Sequence, residues 1–126
     1  MTQARPEAER FLELTLATAE RTWQALAWET SARVAMAGGD QHDASTCIDN
    51  ALSAMEGFEV PLAAWRVHAS AAELETRRGN QPAAGRHRSL GGATALALAN
   101  SLVDHERLRA TFLAAPAVRA IVDLSR

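Results

Sequence analysis

One pattern of small residues and turn formers occurs twice, forty residues apart. Ala32, Gly39-Asp40 and Ala44 form the first copy, and Ala72, Gly79-Asn80 and Ala84 the second. A small residue one to two turns before a glycine lets a helix approach its neighbour closely. The glycine ends that helix, the Asp or Asn caps the next, and a second small residue lines the crossing. A chain made of such units is committed to helices, because no single unit buries its own apolar face.

Composition agrees with a helical reading. Of 126 residues, 48% are hydrophobic, mostly alanine and leucine, whereas aromatics make up 5% and tyrosine is absent. Good helix formers without β-branched or aromatic clusters favour an all-α fold. The length suits one domain with a real core, here residues 1–126. The formal net charge of −2 gives no basic field to hold nucleic acid. All 13 basic residues are arginines, which excludes Schiff-base and P-loop lysines. Cys47 is the only cysteine, so no intramolecular disulfide can form. The segment MTQARPEAER is charged rather than apolar, and no run reaches membrane-spanning length. The expected setting is the cytoplasm, with no membrane partner.

Pro6 opens a first helix, with Glu7 and Glu9 at the positive end of its dipole. A second is expected from Thr22 to Ala37, stopped by Gly38-Gly39, although neither Gly nor Pro separates the two. Asp40 caps a third helix that ends near Glu56-Gly57, Pro61 opens a fourth, and Asn80 with Pro82 opens a fifth reaching Ser101. The Gly91-Gly92 pair weakens that helix by about 1 kcal/mol per glycine. Asp104 caps a short sixth helix, and Pro116 starts a last one. Short connections imply antiparallel neighbours, six or seven helices in all.

The spacing of Trp28, Ala32, Gly39, Ala44, Ile48 and Ala51-Leu52 resembles the tetratricopeptide repeat. Repeat 1 would cover about 25–58, and a degenerate repeat 2 about 62–101, with His68 in place of the Trp. The C-terminal cap would span 104–126. The runs VPLAAWRVHASAAELETRRGNQPAAGRHRSL, ALANSL and LRATFLAAPAVR are similar to the C-terminal repeat tails of large bacterial signalling ATPases and adenylate-cyclase-like or transcriptional-activator regulators. The resemblance implies an α-solenoid used as an interaction surface. It carries over neither ATPase nor cyclase activity.

The resemblance also implies a concave groove built by the first helix of each pair. Leu26, Glu29, Arg33 and Met36 would line it from repeat 1, and Arg66, Ala69, Glu73 and Arg77 from repeat 2. A mixed-charge groove with apolar spots suits a partner peptide or helix. The Lys and Asn of a carboxylate clamp are missing, so it is not expected to grip an extreme C-terminus. The expected function is a non-catalytic protein–protein adaptor. Phe11, Leu12, Leu14 and Leu16 show apolar residues on more than one side of the first helix, which points to self-association as a dimer or to docking on a larger partner.

Other candidates read more simply as structure. Asp40, His42 and Asp43 fall in a turn and point apart, with no zinc spacing to support them. Cys47 lacks a neighbouring base. His42 and His87 read as exposed, and His105 lies near a helix start. Arg77, Arg78, Arg86 and Arg88 gather at a helix end, where cations are favoured. Trp23, Trp28 and Trp65 read as core. The rival reading is a small all-α enzyme or ligand-binding bundle, with His68, Glu73 and Glu75 lining a pocket. Neither reading calls for a cofactor or metal.

Overall fold

The computed structural model describes residues 4–124, apart from the side chains of 4–8 and 11. The roles expected of Glu7 and Phe11 lie outside the described residues. The described chain is all helical, with six helices: α1 (Ala4–Ala37), α2 (Gln41–Met55), α3 (Pro61–Arg77), α4 (Gln81–Asn100), α5 (Glu106–Ala114) and α6 (Pro116–Leu124). The two expected N-terminal helices are a single helix of 34 residues. No residue between them can break a helix, and the change in apolar face near Thr22 is a change in what α1 touches.

The two turns inside the repeated pattern are the same device. Gly39 and Gly79 both take φ +79°, where a side chain would be strained. Asp40 N–H donates to Ala35 O at 2.9 Å, and Asn80 N–H donates to Glu75 O at 2.9 Å. Asp40 Oδ1 then accepts from Asp43 N–H at 2.9 Å, and Asn80 Oδ1 from Ala83 N–H at 3.3 Å. Each of these bonds is displaced by forty residues from its counterpart. The glycine satisfies the carbonyls of one helix end while the next residue caps the following start.

The principal packing is α1 on α2 and α3 on α4, with α3 also touching α1 and α2. Ala32, Ala44, Cys47, Ile48, Ala71 and Leu74 meet where α1, α2 and α3 converge. Ala25, Ala51, Ala63 and Val67 continue this core towards the start of α3. A second centre joins the C-terminal half: Trp65 of α3, Ala95 of α4, and Val118, Ile121 and Val122 of α6. The three α6 residues recur at i, i+3 and i+4, so one face is buried. α5 has no buried residue and begins after His105, which makes no side-chain cap, rather than after the expected cap Asp104.

Gly91 of α4 has a packing role that its low helix propensity hides. A methyl group on Gly91 would lie 2.9 Å from Ile121 Cγ1 and 3.3 Å from His68 Cβ. Gly91→Ala is therefore expected to destabilise by about 1–2 kcal/mol, because overpacking against α6 outweighs the gain in helix propensity. Gly85, on the same helix, has open space beside it, so Gly85→Ala should stabilise by about 0.5–1 kcal/mol. Urea unfolding of the two variants checks both signs.

Candidate functional site

The eight residues expected to line a groove divide into three kinds. Met36 is buried in the first core, and Leu26 is half-buried against the second. Both supply packing, because the inner face of α1 turns towards α2 and α3. Glu29 is 2% exposed and forms a polar joint between α1 and α3. Its Oε2 accepts from Arg33 Nε at 2.6 Å and from Ser70 Oγ at 2.7 Å. Arg33, Arg66, Ala69, Glu73 and Arg77 reach the surface of one concave region.

Two adjoining hollows make up that region. The larger, about 600 Å³, lies between α3 and α6, with Arg33 of α1 and Arg88 of α4 at its rim. Its apolar wall comes from Ala69, Ala72, Ala117, Ala120, Ile121 and Leu124. The smaller, about 90 Å³, continues past Arg33, Ala69, Ser70 and Ala117 to Trp65 and Arg66. Sequence reasoning had treated α6 only as a cap, but α6 forms a wall. Arg88 had been read as a solvated helix end. The strong apolar face of α6 was the available signal, since its neighbouring residues must then face the same cleft.

Charge in this region is unevenly compensated. Arg33 pairs with Glu29, and Arg77 Nη2 pairs with Glu73 at 2.8 Å. Arg77 Nη1 also donates to Met36 O at 3.0 Å, tying the end of α3 to the end of α1. Reversing Arg77 would therefore disturb the fold as well as the groove. Arg88 donates to the Thr76 hydroxyl at 3.3 Å, and Arg66 lies over the Trp65 ring with its guanidinium carbon 4.5 Å from the centroid. Among the described residues neither has a carboxylate partner within ion-pair distance. The groove thus offers an apolar wall with two uncompensated guanidinium groups.

His68 does not line either hollow. It faces His87 of α4, with Nδ1 atoms 3.0 Å apart and rings stacked at 5.3 Å. One ring donates and the other accepts, so the accepting ring is neutral, and the two cannot both be protonated without losing this bond. Burial, reinforced by the charge of His87, pushes the His68 pKa down to about 4. Burial also lowers His87; Arg86 adds to this effect and Glu75 opposes it. Since folding lowers the His68 pKa, the unfolded chain binds the extra proton first. The pair's contribution is complete above about pH 6.5 and declines as pH falls towards 4. With solvent screening at these partly open rings, about 1–2 kcal/mol should be lost across that window. His68→Gln should flatten the dependence of melting temperature on pH. The pairing was missed in the sequence because 19 residues separate the two, yet both lie forty residues after Trp28 and Cys47.

Trp65 is buried, as expected of a core residue, whereas Trp28 is partly exposed and Trp23 is 72% exposed. Trp23 points away from the body because α2 and α3 occupy only the opposite face of α1. Cys47 is buried, and burial together with Asp43 raises its thiol pKa. Among the described residues no group of three or more His, Cys, Asp or Glu could hold a metal ion, and no helix is long and apolar enough to cross a membrane. In comparisons with protein-family models, curated proteins and solved structures, nothing matches this chain.

Proposed function

We propose that this protein is a non-catalytic helical-repeat adaptor that binds a partner peptide or helix in the groove between α3 and α6. The single observation that carries the reading is the apolar wall bordered by Arg66 and Arg88, two cations without carboxylate partners among the described residues. A buried apolar contact supplies affinity, and bidentate arginine contacts select carboxylates. The partner segment is therefore amphipathic and acidic. The paired turns displaced by forty residues support an array of two helix pairs, with antiparallel neighbours, closed by α5 and α6. The likeness of the sequence to bacterial regulator tails suggests a cytoplasmic role in signalling or transcriptional control.

Isothermal titration with a synthetic amphipathic helix bearing glutamates on its polar face tests the reading, with the lysine version of the same peptide as control. The acidic peptide should bind in the micromolar range, weaken with salt, and lose at least tenfold in affinity on Arg66→Glu/Arg88→Glu. Equal binding of both peptides, or binding unchanged in the double variant, would rule the groove out.

A further inference from the structure

The α3 side of the groove is one straight row. Trp65, Ala69, Ala72 and Thr76 all line it, at steps of four, three and four residues. Eleven residues make about three turns of a straight helix, so the row keeps to the groove, and its length is about 16 Å. Arg66 lies over the ring at one end of the row, and Arg88 bonds the hydroxyl at the other. Neither guanidinium has a carboxylate partner among the described residues. The other charged residues of the two hollows are balanced in pairs, Arg33 with Glu29 and Arg77 with Glu73. Two cations are thus left over, one at each end of a lane of methyl groups to which α6 adds Ala117 and Ala120.

Given the adaptor reading, on which this rests, we propose that the segment held in the groove is an α-helix with two carboxylates eleven positions apart. Counting from the first carboxylate, large aliphatic side chains come four and seven positions on. A helix of that pattern repeats the row it lies on, so its two charges arrive together at the two cations. The spacing reads the same in either chain direction. The middle positions are large because the walls are small: alanines on both sides leave room that leucine-sized side chains fill.

An extended segment does not meet these conditions. It covers about 16 Å in five residues, and residues five apart point to opposite faces. It would also set unpaired backbone groups against alanine methyls, whereas a helix satisfies its own. Spacing matters for the same reason of burial. With the second carboxylate seven positions on instead of eleven, it stops about 6 Å short of its cation and lies over the apolar lane, where an unpaired charge is costly.

Isothermal titration of the full chain with synthetic peptides tests the spacing and the conformation. The first peptide has glutamates at positions zero and eleven and leucines at four and seven. The second exchanges the last glutamate with the leucine at seven, and a lactam bridge on the outward face holds both helical. The first sequence with prolines on its outward face is the non-helical control. The first peptide should bind about tenfold more tightly than the second, and the proline control should not bind measurably. Arg66→Gln and Arg88→Gln, each with an unchanged circular dichroism spectrum, should both erase the difference between the two helical peptides. Equal binding of these two by the native chain, or undiminished binding of the proline control, would overturn the proposal. If the two bind equally and weaken together on Arg66→Glu/Arg88→Glu, the groove stands without this spacing. If neither binds, the groove reading falls and the spacing with it.

Discussion

Trp65→Ala is expected to cost about 3–5 kcal/mol of unfolding free energy, the largest effect of any single truncation considered for this protein. Trp65 is 4% exposed and supports Val118, Ile121 and Val122 of α6. Phe112 of α5 meets its ring edge-on at a centroid distance of 6.1 Å, and the Arg66 guanidinium lies over the ring. The truncation should therefore loosen α5 and α6 together. Trp65→Phe should retain most of the packing and cost about 1–2 kcal/mol. Urea titration followed by far-ultraviolet circular dichroism gives both values. A loss below 1 kcal/mol for the alanine variant would mean that the two C-terminal helices do not depend on this platform.

The second large effect concerns a charge inside the molecule. Glu29→Ala should destabilise by about 2–4 kcal/mol, because it strands a buried serine hydroxyl and removes the acceptor for Arg33. Glu29→Gln keeps the volume and one acceptor oxygen, and should cost about half as much. Ser70→Ala removes only one donor, and Arg33 still satisfies the carboxylate, so about 1 kcal/mol is expected. A double-mutant cycle between positions 29 and 70 should return a coupling of about 1 kcal/mol across the α1–α3 joint, measured by urea unfolding. Additive costs would show that the joint holds through packing alone.

These two sites show where sequence reading succeeds and where it stops. The caps Asp40 and Asn80 and the openings at Pro61, Pro82 and Pro116 are local chemistry, and the structure places a helix start at each. Trp65 fell on a clear apolar stripe. Glu29 did not look like a core residue, because carboxylates are seldom buried and its serine partner is 41 residues away. Gly91 read as a weak point because its use is a close approach by Ile121 from another helix. Trp28 shared the spacing of buried residues yet remains partly open, since periodicity fixes a face but not what lies against it. Local signals thus marked the helix starts, while the wall formed by α6 and the histidine pair arose from neighbours far apart in sequence.

The unequal lengths of the first two helices have one more consequence. α1 has 34 residues and α2 has 15, so α1 outruns its companion by about 28 Å. Starting a helix from coil is disfavoured by a factor of about a thousand, whereas lengthening an existing one is nearly free. The turns around Ala25 and Ala32 are held by packing on the body, and each projecting residue simply adds to them. The same stretch cut out as a peptide would have to begin from nothing. An unbroken ladder of backbone hydrogen bonds is therefore the supply line of the projecting part. A proline at position 19 would sever it, and everything towards the N-terminus would lose its template while the body stayed folded. The body is the seed from which this chain grows its own reach.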